Sequence, residues 1–107
     1  MSKKTNLLLP LGSVLRLKKG TVLLIIQGYM PNDLNHPDKI YDYEGSIFPT
    51  GRQGQLVYMF NEDDIDEVMF IGYQTDESIK YRTTISKVRD YILEGLSIEE
   101  AIKKAKQ

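Results

Sequence analysis

The stretch FNEDDIDEVMFIGY, Phe60 to Tyr73, decides the fold of this 107-residue chain, because a β-like half precedes it and a helical half follows. Asn61 is a favourable helix N-cap, and Asp64 lies three residues later, where a capping partner belongs. The acidic side chains between and after them favour the positive end of a helix. We therefore expect one helical turn over residues 62–66, with Ile65 turned inward.

The second half of the same stretch has the composition of a strand. Residues 67–73, EVMFIGY, are rich in β-branched and aromatic side chains. Strand alternation predicts Val68 and Phe70 on one face and Met69 and Ile71 on the other.

Upstream, two segments predict a β-hairpin. Residues 13–18, SVLRLK, alternate between apolar and basic side chains, which is the period of a half-buried strand. Residues 21–26, TVLLII, form a continuous apolar run, typical of a strand that is covered on both faces or lies centrally. Lys19 and Gly20 suit the tight turn between them, with Gly20 able to adopt a positive φ.

Two more strands are expected after a long loop at residues 28–39, which is rich in proline, asparagine and aspartate. Residues 40–49, IYDYEGSIFP, place tyrosines on one face and acids on the other, and Gly45 indicates a bulge or bend. Residues 49–54 form a turn, and residues 55–60, QLVYMF, read as a short strand.

The remainder of the chain predicts two helices. The first begins at Thr75 or Asp76, runs to about Glu94 and ends at Gly95, a typical C′ residue. Ser97 caps the second, shorter helix, whose apolar residues are Ile98, Ala101, Ile102 and Ala105. In the first helix, an apolar stripe recurs at helical spacing: Tyr81, Ile85, Val88 and Ile92.

These elements predict an α+β fold. A small antiparallel sheet of four to five strands is followed by a C-terminal helix and a short terminal helix, packed on one face or end of the sheet. The length suits a single domain over residues 1–107, with a β-rich part at 9–73 and a helical tail at 75–106.

Composition excludes several classes of protein. The chain has no cysteine, which excludes disulfides and thiolate metal sites. No apolar run reaches the roughly 18 residues of a membrane span. The amino-terminal lysines and leucines do not have the pattern of a signal peptide. We therefore expect a cytoplasmic protein without membrane contact. Residues 21–79 carry eleven acids against Lys39 and Arg52, which disfavours binding to nucleic acid.

The residues reveal no catalytic, cofactor or metal site. His36 is the single histidine, and it lies in the proline-rich loop away from any partner constellation. The acids after Asn61 do not match a calcium loop, which would need glycine at Asp66 and glutamate at Gly72. Because tyrosine is enriched at protein interfaces, we expect an interaction surface instead. Its candidate residues are Tyr29, Tyr41, Tyr43, Asp63 and Asp66.

Three segments together resemble a known family: LPLGSV (residues 9–14), YDYEGSIFP (residues 41–49) and FNEDDIDEVMFIGY (residues 60–73). It is the domain-of-unknown-function family 4176, short proteins of Gram-positive bacteria that are often encoded near type VII secretion and LXG toxin genes. The resemblance implies a non-enzymatic accessory chaperone or adaptor, with an LXG-type effector as its protein partner. It implies no catalytic residues.

Two other functions stay open. A toxin-neutralising immunity protein could use the acidic strip around Asp63 and Asp66 to occupy a basic active site. A small-ligand-binding domain could be built on the loop at residues 28–39. An exposed edge strand could also pair two copies into a homodimer.

Overall fold

The described chain forms five strands followed by two helices. The computed structural model describes residues 7–32, residue 35 and residues 39–107. The strands are β1 (Val14–Leu17), β2 (Leu23–Tyr29), β3 (Tyr43–Phe48), β4 (Tyr58–Phe60) and β5 (Ile65–Phe70); a 3₁₀ turn spans Glu62–Asp64, and the helices are α1 (Asp76–Leu93) and α2 (Ile98–Ala105). The predicted α+β class, with an antiparallel sheet and two C-terminal helices, is confirmed.

The sheet has the order β4-β3-β2-β1-β5, and every neighbouring pair is antiparallel. The apolar run of β2 therefore occupies the centre of the sheet. Leu24 and Ile26 are almost fully buried, whereas Leu23 and Ile25, which point to the other face, are only half-buried. The two faces of this strand differ in burial although both are apolar.

Strand β5 carries two irregularities that its sequence does not reveal. Val68 pairs with Leu15 and Phe70 with Val14, so Met69 is an extra residue in the ladder. Because Leu15 and Val14 point to opposite faces, Val68 and Phe70 do so too. The prediction that they share a face is wrong, since the bulge shifts the alternation by one residue.

Of the bulge or bend predicted at Gly45, the bulge is wrong: it lies on the partner strand β2, between Ile26 and Gly28, while β3 continues. Close packing against neighbouring atoms explains why residue 45 is a glycine. A Cβ on Gly45 would lie 2.9 Å from the backbone oxygen of Ile25 and 3.1 Å from the ring of Phe60.

In the β1–β2 turn, the positive φ (64°) belongs to Lys19 and not to Gly20.

The acidic turn before β5 is capped as predicted, although it is shorter than residues 62–66. The Asp64 carboxylate accepts a hydrogen bond from the Asn61 N–H at 2.8 Å. The Asn61 side-chain oxygen accepts one from the Asp42 N–H at 3.0 Å, and the Asp42 carboxylate accepts the Glu62 N–H at 2.8 Å. This reciprocal pair joins the start of β3 to the end of β4, and Ile65 is already the first residue of β5.

The helices begin and end at the predicted residues. Thr75 caps α1, Gly95 adopts a φ of 109° after it, and Ser97 caps α2. Of the predicted apolar stripe of α1, only Val88 is buried: Ile85 and Ile92 are half-buried, and Tyr81 is 57% exposed. The buried residues of α1 are mostly polar. They are Arg82, Ser86, Val88 and Arg89.

Polar contacts explain the burial on α1. The Arg82 guanidinium donates to the Leu8 carbonyl oxygen at 2.8 Å and also to the Gln74 side chain. The Ser86 hydroxyl accepts a hydrogen bond from the Leu8 N–H at 3.1 Å. A backbone segment thus docks on α1 through hydrogen bonds, which apolar periodicity alone does not predict.

The chain divides into two compact units. One comprises Leu9–Tyr73 and contains all five strands, and the other comprises Gln74–Gln107 with the described residues 7 and 8. The single domain expected from the length stays a prediction.

We expect Thr75→Ala to lower the free energy of unfolding by about 1 kcal/mol. The Thr75 hydroxyl accepts a hydrogen bond from the Ser78 N–H at 3.0 Å, and alanine leaves this donor without its cap. Thr84→Ala, in the middle of α1, is the matched control and should be neutral or slightly stabilising because alanine has the higher helix propensity. Urea denaturation followed by circular dichroism measures both; equal effects would contradict the capping role.

Candidate interaction surface

The structure places Tyr43 in the core and not on a surface. Its side chain is fully buried. The hydroxyl donates to the Glu62 carboxylate at 2.5 Å and accepts the Leu9 N–H at 2.8 Å. Burial, and then the hydrogen bond to Glu62, raise the pKa of Tyr43. Tyr43 therefore ties the segment before β1 and the turn after β4 to the sheet, and it is unavailable to a partner.

The other two candidate tyrosines are half-buried. The Tyr29 hydroxyl donates to the Leu9 carbonyl oxygen at 2.5 Å, and its ring lies 6.2 Å from the ring of Tyr43. Tyr29 and Tyr43 thus bind the two backbone groups of Leu9 and tie the segment before β1 to the sheet. Tyr41 precedes β3. The tyrosines do not converge on one exposed patch.

The acidic candidates lie in the turn and in β5. Asp63 is exposed, whereas Asp66 forms an ion pair with Arg16, at 2.8 Å between Nη2 and the carboxylate. The same guanidinium lies 3.1 Å from Glu67. The hydrogen bond that Arg16 donates to Asp66 is the main cause that raises the pKa of Arg16. One cation therefore offsets only part of the negative charge, and these exposed pairs contribute little to stability.

A different surface, not predicted from the sequence, is the most distinctive feature of the sheet. We call it the apolar face. It is a solvent-open concavity of about 450 Å³, and the described residues that line it are Gly12, Val14, Leu23, Ile25, Phe48, Met69 and Phe70. No polar side chain belongs to this lining.

Four strands build the apolar face. Cross-strand pairing brings Val14 beside both Ile25 and Phe70, and Leu23 beside Phe48. The bulge at Met69 allows two consecutive side chains of β5 to contribute. The aromatic and methionine side chains are the most accessible: Phe48 is 43%, Met69 48% and Phe70 61% exposed.

An indication of this surface was present in the sequence. The run TVLLII is apolar at every position and therefore predicts apolar side chains on both faces of β2. Whether both faces are covered is a tertiary property, and here only Leu24 and Ile26 are nearly inaccessible.

One end of the apolar face is bordered by charge. Five of the six residues 62–67 are acidic, and the facing segment of β1 and its turn contributes Arg16, Lys18 and Lys19. Arg16 pairs with Glu67, and the Lys18 N–H donates to the Asp64 carbonyl oxygen at 2.8 Å, so the two segments are in contact. We call this border the acidic end, since its formal charge is negative.

Other kinds of site find little support in the described part of the chain. It contains no group of three or more histidine or acidic side chains that could hold a metal ion. His36 and most of the proline-rich loop at residues 28–39 lie outside the described residues. Neither described helix combines the length and apolar character that a membrane crossing requires.

Comparison with known proteins gives one match. The family model of DUF4176, a domain of unknown function, matches residues 8–81, which include all five strands and the start of α1. No curated protein and no solved structure matches the chain.

Proposed function

The chain belongs to the DUF4176 family, and we propose that it is a non-enzymatic interaction module that binds another protein through its apolar face. The observation that carries this proposal is the exposure of Phe48, Met69 and Phe70 around one concavity. Large contiguous patches of exposed apolar side chains are rare on monomeric proteins and mark sites of association. Aromatic and methionine side chains are also the types enriched at protein interfaces.

The lining of the apolar face favours a protein partner over a small substrate. Binding sites for small molecules combine an apolar pocket with a few polar groups that orient the ligand. The described lining has no polar side chain, and the concavity is open to solvent. A protein surface can supply many weak apolar contacts at once and needs no such orienting group.

The more specific role that we propose is that of an accessory chaperone or adaptor for an LXG-type effector of type VII secretion, acting in the cytoplasm. The support is the gene neighbourhood that the family resemblance implies, together with the apolar face. A chaperone of this kind covers apolar surface of its client before export, and the exposed apolar side chains here are suited to that task.

The test is co-purification from the native host with the tagged full-length chain, analysed by size exclusion and mass spectrometry. We expect the wild type to recover an effector in stoichiometric amount. Phe70→Glu should reduce the recovery by roughly tenfold or more, because it places a charge among the apolar side chains of the contact. Leu56→Glu is the matched control: Leu56 is 57% exposed but lies outside the apolar face, so recovery should be unchanged.

Two outcomes would contradict the proposal. If no effector or secretion component is recovered, the proposed chaperone or adaptor role is wrong. If Phe70→Glu and the wild type recover the effector equally, the effector does not bind through the apolar face. Thermal denaturation of both variants checks that they are folded. Neutralisation of the neighbouring toxin on co-expression would identify an immunity protein instead, since a chaperone stabilises its client without blocking it.

A further inference from the structure

We infer that the partner presents an amphipathic α-helix to the apolar face, with lysine or arginine on the flank that meets the acidic end. This inference rests on the proposed function and specifies the class of partner. It follows from three features of the sheet: its edges, the lining of the concavity and the charges at its border.

The edges of the sheet disfavour addition of a partner strand. Strand β5 is an edge, but two register shifts against β1 interrupt its ladder, and Asp66 and Glu67 add charge to it. Bulges and charged residues are the devices by which proteins protect sheet edges from further pairing. The other edge, β4, has only three residues. A partner is therefore expected on the face of the sheet and not along its edge.

The face itself suits a helix. Apolar sheet faces in proteins are covered by helices or by a second sheet. Here the accessible side chains of Phe48, Met69 and Phe70 line one concavity of about 450 Å³. A helix presents a single narrow apolar stripe, at spacings of three and four residues, and such a stripe fits one groove. A second sheet would need a broad apolar surface.

The charges decide which helix fits. The Tyr43 hydroxyl already engages Glu62, but the exposed acids still outnumber Arg16, Lys18 and Lys19. Arg16 is in turn engaged by Asp66 and Glu67. Basic side chains on the partner would relieve the excess negative charge, whereas acidic ones would add to it.

The test is selection of a displayed library of random peptides of about 20 residues, a length that can form a helix, on the purified full-length chain. Enriched peptides are then synthesised and titrated by fluorescence anisotropy. We expect apolar residues at spacings of three and four, a positive net charge, and helical circular dichroism on binding. Affinity should fall roughly tenfold or more with Phe70→Glu, and it should weaken as salt is raised.

Charge reversal provides the matched comparison. Glu67→Lys should weaken binding of the basic peptides severalfold, because it reverses a charge at the acidic end. Glu94→Lys makes the same change at the exposed residue that ends α1 and should leave the affinity unchanged.

Several outcomes would overturn the inference: no enriched peptide, peptides with strand-like alternation or net negative charge, or binding indifferent to Phe70→Glu. Self-association that Phe70→Glu abolishes, measured by analytical ultracentrifugation, would assign the face to a second copy. If the effector complex from the host still depends on Phe70 while no basic helical peptide binds, the proposed function stands and the helix inference fails. If Phe70→Glu leaves recovery of the host complex unchanged, the proposed binding through the apolar face is wrong, and so is the helix inference that rests on it.

Discussion

Gly72→Ala is expected to destabilise the β unit by roughly 3 kcal/mol or more, the upper range for overpacking a buried position. A Cβ at this position would lie 2.0 Å from the Leu11 backbone oxygen and 2.9 Å from both the Leu11 carbonyl carbon and the Ser13 nitrogen. All three atoms belong to the backbone, so rotation of a side chain cannot relieve the clash.

The segment that would have to move is held by hydrogen bonds. The Gly12 N–H donates to the Ile26 oxygen at 2.8 Å, and the Ile26 N–H donates to the Ser13 oxygen at 2.9 Å. The Ser13 hydroxyl accepts the Gly72 N–H at 2.9 Å and is buried. Retreat of residues 11–13 would therefore break contacts with the central strand β2, which explains the large expected effect.

Gly28→Ala is the control for the Gly72 experiment. Its new Cβ would lie 3.8 Å from the Glu44 Cβ, an ordinary contact, and its φ is not positive. Alanine there should change the free energy of unfolding by less than about 1 kcal/mol. Urea denaturation at 25 °C compares the two variants. A Gly72→Ala variant as stable as Gly28→Ala would contradict the close approach of residue 72 to the Leu11 backbone.

Tyr43→Phe is expected to cost about 2 kcal/mol at neutral pH. The substitution keeps the ring, which lies 5.5 Å from the ring of Phe60, so no cavity forms. It removes the donor to the Glu62 carboxylate and the acceptor of the Leu9 N–H. The hydrogen bond to the charged Glu62 carboxylate is the stronger of the two. Loss of the other bond leaves the partly buried Leu9 N–H without its acceptor.

The effect of Tyr43→Phe should also depend on pH. Burial and Glu62 raise the pKa of Tyr43 above its ordinary value of about 10. The folded state then retains a proton that the unfolded state releases. This contribution to stability is complete below about pH 10 and is lost progressively as the pH rises above it. Phenylalanine has no such proton, so the difference in the free energy of unfolding between wild type and Tyr43→Phe should become smaller above about pH 10.

Urea denaturation at pH 7 and above pH 10 tests both parts of the Tyr43 prediction. Tyr58→Phe, on the neighbouring strand β4, is the control because its hydroxyl has no hydrogen-bond partner among the described residues. It should change stability by less than about 0.5 kcal/mol at pH 7. A Tyr43→Phe variant indistinguishable from Tyr58→Phe would mean that the hydroxyl contacts do not stabilise the fold.

The elements of this fold follow from short-range features of the sequence. Asn61 and Asp64 predict the acidic turn, and Thr75, Gly95 and Ser97 predict the ends of the helices, because capping depends on residues within one turn. The central position of β2 follows from its unbroken apolar run.

The candidate surface could not be predicted in the same way. Tyr43 has the chemistry of an interface residue, yet it is fully buried because Leu9 and Glu62 supply partners for its hydroxyl from 34 and 19 residues away. Burial depends on such distant contacts, and no local pattern reports them.

The sequence by itself determined the α+β class, the approximate extent of the strands and helices, the caps and the excess of acid in residues 62–67. Only the tertiary structure decided which face each side chain of β5 occupies. Pairing with β1 leaves Met69 as an extra residue, and this bulge turns Phe70 to the face of Val14 while Val68 stays with Leu15. The physical reason is that strand alternation has a period of two, so a single unpaired residue reverses the orientation of every side chain beyond it.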